Sequence, residues 1–404
     1  MDIFSIIAEF LRTLLGGLGL ADWFVDLIMA IIRAAVLGTF GLLTFMLLTW
    51  IERKLIARMQ DRLGPTYHGP AGILIPIADG IKMMTKEDTV PAGADKWVFN
   101  LAPILTAAAA LIVFAVIPFG PDTGAGALVG TPLNIGIIYI LAVGAASVIA
   151  VLMAGWSSNN KFALLGAFRA VAQLISYEVP QVLTVVTVVM LAGTMDMVQI
   201  VHAQTVPFIF PLFVTALIFF ISGVAETGRS PFDLLEAESE IVAGFHIEYS
   251  AMKFSLIFLA EFVHAFAIGA IVATLFLNGW EGPLPGIPYV WLLLKGLALF
   301  FVMIWFRGTF PRLRIDQLLA FNWKFLVPLS LANLLMIAVG DKLLRDAGVS
   351  STHNPWVWGL TLFAANIVLL LVSLGFLSRA GRRARMREQA VIARRREIAP
   401  AAGR

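Results

Sequence analysis

The sequence predicts an all-α, polytopic membrane protein with about nine transmembrane helices and amphipathic helices on the cytoplasmic side. Three observations carry that class. The 404 residues are 59% hydrophobic and only 14% charged, with a mean hydropathy of +0.89. The apolar residues gather into uninterrupted runs, several longer than the roughly 18 residues that mark a membrane span. The basic residues fall almost wholly beside alternate runs, as the positive-inside rule requires of a protein that crosses the bilayer repeatedly.

In chain order the runs are Val25–Ile51, Val98–Phe119, Ile135–Trp156, Leu164–Ala192, Pro207–Ala225, Ser250–Leu277, Tyr289–Phe306, Phe325–Leu344 and Trp356–Leu377. Residues 1–24 lack a basic n-region and a clear small-residue cleavage site, so a short interfacial segment is expected there rather than a signal peptide. Residues 25–345 form the main membrane domain, 346–378 an additional span and 379–404 a basic cytoplasmic tail. Of the 29 Lys+Arg, 24 lie after spans 1, 3, 5 and 7 or in the tail. Those regions are therefore cytoplasmic, and the N-terminus is external. Between Pro70 and Lys86, Ile73, Ile77, Ile81 and Met84 recur at three- and four-residue steps, with Asp79, Lys82 and Lys86 opposite. That pattern describes a helix lying along the membrane. Pro311–Gln317 is a shorter basic version, while Pro118–Pro132 and Gly279–Pro288 are Gly/Pro-rich external loops. The arginine-rich tail suits anionic lipid headgroups rather than nucleic acid.

Composition also excludes some chemistry. There is no cysteine, so the chain has no disulfide, thiolate zinc site or Cys-ligated iron–sulfur cluster. Five scattered histidines have no HExxH-like spacing, and no metal site is expected.

Charge is densest from Ala225 to Glu240, where Glu226, Asp233, Glu236, Glu238 and Glu240 surround a single arginine, Arg229. Ser230-Pro231-Phe232-Asp233 reads as a helix start, with serine as cap and proline at the first position. Continuing that helix stacks Asp233, Glu236 and Glu240 on one face. Adjacent like charges there cost about 0.2–0.5 kcal/mol per pair. Such crowding suits carboxyls that share protons. More acids lie within the spans: Glu178, beside Tyr177 and Pro180, and Glu261, with His264 on its face. Intramembrane charges are expensive and mark pathways or pairs. Glu52-Arg53-Lys54 and Gln60-Asp61-Arg62 form a polar exit from span 1, equally suited to guiding an amphiphilic ligand and to anchoring topology.

Four segments coincide with one family. Glu52-Arg53-Lys54…Gln60…Arg62…Gly64-Pro65 with Ile77–Lys82, Gly155–Gly166 with Arg169–Val179, Ala225–Glu240 with Gly244–Tyr249, and Pro311–Leu318 resemble the H subunit of proton-pumping respiratory complex I. The likeness covers about Val25 to Leu344. It implies the heel subunit of the membrane arm of a bacterial NADH:quinone oxidoreductase, in the plasma (inner) membrane. The equivalent subunit of an energy-converting hydrogenase is the alternative. It further implies quinone as substrate, with ubiquinone and menaquinone both open, and no redox cofactor of its own. FMN and iron–sulfur clusters would sit on partner subunits. Partners would be the quinone-site subunits of the hydrophilic arm, small membrane subunits at the junction, antiporter-like subunits and lipids. By the same resemblance, Arg53, Arg62 and Arg229, with Asp79, fall at the quinone-chamber entrance or lining. Asp79, Glu178, Glu226 and Glu261 fall on an acidic proton path, and Asp233, Glu236, Glu238, Glu240 and Glu248 in or beside the chamber loop. The family usually carries asparagine where this chain has Thr66, Gly228 and His246, and glutamine where it has Ile75.

Overall fold

A computed structural model describes residues 10–15, 17, 21–121, 129–234, 244–283, 287–351 and 353–398, with side chains as far as 379. The expected interfacial segment at the N-terminus and the acids Glu236, Glu238 and Glu240 lie largely or wholly outside these residues. The α-helices among the described residues are, in order, α1 (Asp22–Met59), α2 (Ile75–Thr85), α3 (Lys96–Ile112), α4 (Gly136–Ser157), α5 (Lys161–Ala192), α6 (Met197–Ala203), α7 (Phe213–Glu226), α8 (Ala251–Phe276), α9 (Pro288–Thr309), α10 (Ile315–Phe321), α11 (Val327–Asp346) and α12 (Pro355–Ile398). Eight helical segments among the described residues are long and apolar enough to cross a membrane.

The most buried of these is α8, which runs through the middle of the bundle and packs against α1, α3, α7 and α9. Small residues let neighbours approach closely, as is usual where helices pack without a hydrophobic driving force between them. A methyl on Gly269 of α8 would lie 2.9 Å from the Gly296 carbonyl oxygen of α9, and one on Gly155 of α4 would lie 2.3 Å from the Ala167 side chain of α5. Phenylalanines fill the centre, including Phe114, Phe262, Phe266 and Phe300.

Three elements differ from the sequence expectation. First, α1 continues two turns beyond Ile51 to Met59. Nothing in Glu52–Met59 breaks a helix, since the first Gly-Pro comes at Gly64-Pro65. Glu52 is thereby carried on a helix face, not in an exit loop. Second, the fifth span is only 14 residues of helix, about 21 Å at 1.5 Å per residue. Pro207 and Pro211 keep the preceding segment non-helical. Its backbone is satisfied by protein, as membrane depth demands. Ile209 N–H donates to the Phe276 carbonyl at 2.9 Å. From α12, the fully buried Asn366 accepts from Val214 N–H at 3.3 Å and donates to the Pro211 carbonyl at 2.9 Å.

Third, no helix starts at Ser230. Residues 230–232 form turns and bends and 233–234 are not helical, while Glu236 and Glu240, with which Asp233 was expected to stack, lie outside the described residues. Tertiary contacts outcompete the local capping signal. Phe232 N–H donates to the Arg229 carbonyl at 2.9 Å, and Leu313 N–H to the Pro231 carbonyl at 3.0 Å. The Ser230 hydroxyl points to the Phe310 carbonyl instead of capping. The amphipathic reading of Pro70–Lys86 does find a helix, α2. Ile77, Ile81 and Met84 are exposed on one side, while Asp79 turns toward Arg53 of α1.

Candidate functional site

The end of α7 sets the geometry. After Glu226 and Thr227, Gly228 takes φ of +65°. Its N–H donates to the Ala225 carbonyl at 3.2 Å, and Arg229 N–H donates to the Val224 carbonyl at 3.3 Å. These paired bonds are a Schellman stop, whose left-handed residue is usually glycine and sometimes asparagine. The requirement explains why glycine can stand where the resembling family carries asparagine. A β-branched residue there should cost about 1–2 kcal/mol. Gly228→Val should therefore lower the thermal survival of the protein in membranes, whereas Gly228→Asn should leave it close to wild type. Equal survival of the two would count against this account.

The stop turns Arg229 inward, and its side chain is fully buried. It pairs there with Glu52 of α1, whose other oxygen is taken by Arg307 of α9. Arg229 Nη2 lies 3.5 Å from Glu261 Oε1 of α8. Its guanidinium sits 4.4 Å from the Phe262 ring centroid and 5.3 Å from that of Phe300. A planar, weakly hydrated cation between ring faces suits a dry site better than an ammonium would.

Two cavities flank this cluster. The larger, about 360 Å³, is lined by Glu52, Arg53, Arg62 and Arg307 together with Phe258 and Phe262. Cationic heads over aromatic walls suit an amphiphile with an oxygen-rich head. At the rim, Asp79 holds Arg53 at 2.7 Å and Lys82 at 3.2 Å. Burial alone would raise the Asp79 carboxyl. The hydrogen bonds and positive charge of Arg53 and Lys82 outweigh it, so the group sits below its ordinary value.

The smaller cavity, about 90 Å³, is lined by Glu226, Glu261, His264, His246, Gly228 and Ser147, among others. Its lining is mostly apolar, including Val151, Leu174, Phe254 and Ile257, so these ionisable groups are the places where water could bind. His264 Nε2 lies 3.5 Å from Glu226 Oε1. Gly144 of α4 leaves room for Glu226, because a methyl there would sit 3.1 Å from its Oε1. Glu178 lies half-buried in mid-α5, within electrostatic range of Glu226. Phe258 lines both cavities, and the Glu52–Arg229–Glu261 chain runs between them.

The remaining predicted residues lie in the loops beyond the ends of α7 and α9. Asp233 pairs with Arg312 at 3.0 Å. Glu248 accepts from Asn160 Nδ2 at 2.7 Å, both beside a surface groove with Lys161 and Asn159. Ser250 contacts Thr89, and Lys253 pairs with Asp88 at 2.9 Å. Three side chains gathered here have no assigned site role in the sequence: Glu52, noted only at the exit of span 1, His264, noted only on the face of Glu261, and Arg307. Glu52 meets Arg229 and Arg307 across 177 and 255 residues, a pairing that no local pattern signals.

Fold and site together define a polytopic α-helical membrane protein with ionisable groups linking two internal cavities. Residues 32–338 match the NADH dehydrogenase family, and the chain belongs to that family. It is 50% identical over 319 residues to the NADH-quinone oxidoreductase H subunit of Dehalococcoides mccartyi strain CBDB1, covering 79% of this chain and 88% of that one. It is 48% identical over 320 residues to the second-numbered H subunit of Syntrophobacter fumaroxidans, covering 78% and 96%. It is 42% identical over 360 residues to the H subunit of Frankia casuarinae, covering 85% and 78%.

Proposed function

We propose that this chain is the H-type heel subunit of the membrane arm of a proton-translocating NADH:quinone oxidoreductase, without a redox group of its own. The observation that carries the reading is the continuous run of ionisable groups between two cavities. One cavity is basic and aromatic at the cytoplasmic end of α1, α8 and α9. The other is acidic and lies deeper in the bundle. Arg53, Arg62 and Arg307 would receive the quinone head, with Asp79 orienting Arg53. Electrons would arrive from iron–sulfur clusters and FMN on the hydrophilic-arm subunits, which would dock on the cytoplasmic loops around Asp233 and Glu248. The termini would lie on opposite sides of the plasma membrane, the N-terminus external.

Quinone reduction changes the local charge, and Arg229 is the group through which Glu52 and Glu261 would feel it. A rise in negative charge at the larger cavity favours proton uptake on Glu261, and coupled titration passes the shift to Glu226–His264 and Glu178. Antiporter-like subunits would receive the output. Glu226→Gln and Glu178→Gln should each sharply reduce quinone reduction coupled to pumping. NADH oxidation by artificial acceptors, which needs only the hydrophilic arm, should remain near wild type. Wild-type coupled rates in both variants would sink the proposal. The alternative, a hydrogenase-type complex, is decided by whether the chain purifies with an NADH-oxidising or a hydrogen-producing module.

A further inference from the structure

Pro180 lies inside α5 and has no N–H, so the Ser176 carbonyl one turn earlier loses its helical donor. That carbonyl is not left bare. Asn322 Nδ2 donates to it at 2.6 Å, and Asn322 is fully buried. The next residue, Trp323, donates from Nε1 to Ser176 Oγ at 3.3 Å. Ser176 Oγ in turn donates to the Ala172 carbonyl at 2.6 Å. Tyr177 adds a second tie, its hydroxyl donating to the Leu318 carbonyl at 3.2 Å.

The partner strip is itself irregular. Asn322–Leu326 form a π turn between α10 and α11, just before Pro328, which also lacks a donor. Single π turns often mark functional sites, because the wider turn re-aims side chains. Here it presents two successive side chains, Asn322 and Trp323, to one residue of the facing helix. The proline break in α5 and the π turn thus meet at the same level, and the residue between Ser176 and Pro180 that carries charge is Glu178.

We propose that Asn322 is a positioning residue for Glu178, supplying in trans the hydrogen bond that Pro180 removes and so fixing the direction of the turn that carries the acid. The functional half of this rests on the reading of Glu178 as a proton-path residue. The structural half does not, and the two are separable by experiment.

The test is a double-mutant cycle in the assembled membrane complex, with Asn322→Leu, Pro180→Ala and both. Alanine at 180 restores an N–H to α5, so the Ser176 carbonyl no longer needs Asn322. Thermal survival of the assembled complex on native gels is the readout, which an inactive Pro180→Ala does not obscure. Asn322→Leu alone should shorten survival markedly, and the same change in the Pro180→Ala background should shorten it little. Equal shortening in both backgrounds overturns the proposal. Asn333→Leu is the control. Asn333 is equally buried and donates to Thr215 Oγ1 at 2.6 Å, away from the break, so its effect should be the same in both backgrounds.

Positioning is read separately, as protons moved per NADH oxidised in complexes that have assembled. Asn322→Leu should lower that ratio. Asn322→Gln, which keeps the amide donor, should recover part of it, and Asn333→Leu should leave it unchanged. An unchanged ratio in Asn322→Leu overturns the positioning role. If Glu178→Gln proves fully coupled while the cycle is non-additive, the proton-path reading fails and the hydrogen-bond replacement stands.

Discussion

Arg229→Leu should all but abolish accumulation of the folded protein. Removing one member of a buried ion pair leaves the other charged without compensation, which costs about 3–5 kcal/mol. Glu52 is only 4% exposed, and Arg307, itself partly exposed, would be left to hold it alone. Leucine also forfeits the stacking of the guanidinium on Phe262 and Phe300. The amount of chain in membranes, and of assembled complex on native gels, reads the effect. Glu52→Gln in the same chain should restore part of both, because a neutral amide tolerates the dry site better than a carboxylate that has lost one of its two arginines. Arg229→Leu accumulating to wild-type levels would refute the pairing as a structural necessity.

The second large effect is expected at Gly166. A methyl added there would lie 2.6 Å from the Gly244 carbonyl carbon and 2.9 Å from the Phe245 nitrogen. Both are backbone atoms, so no side chain can swing away to relieve the overlap. Gly166→Val should push the Gly244–Glu248 segment off α5 at a cost of about 1–3 kcal/mol or more. It should break the Asn160–Glu248 hydrogen bond and open the smaller cavity beside Phe245 and His246. Limited proteolysis of the solubilised protein should then cut near residues 244–250 at protease levels that leave the wild type intact. Unchanged protection would show that the segment is not seated by Gly166.

The long helices were legible in the sequence because hydropathy is a local property and the bilayer imposes one length scale. Failures came where distant contacts overrode local signals. Ser230-Pro231 carries a good helix-start pattern, yet Leu313 and Phe310 hold the segment in turns. The fifth span is apolar over its full predicted length, yet its first third is unwound and satisfied by Phe276 and Asn366, residues far along the chain. The acids Glu226, Glu178 and Glu261 stood out because charge inside an apolar run is conspicuous. Glu52 did not, because it falls at a span end, where charges are ordinary. Its burial depends on α1 continuing as helix and on two arginines that no periodicity connects to it. Asn322 was invisible for a similar reason. Its partner is the carbonyl left by a proline 142 positions earlier, although the proline itself was readable as a break.

The Glu52–Arg229 pair also bears on how the protein is made. Synthesis runs from the N-terminus, so α1 emerges with its acid 177 residues before the arginine that neutralises it. At about 5–20 residues per second, Glu52 waits roughly 9–35 s for Arg229 and longer for Arg307. During that interval the end of α1 lacks both arginines that hold Glu52 in the finished bundle. Arg229 is therefore a late latch in biogenesis: its arrival lets the first helix close against the rest of the bundle.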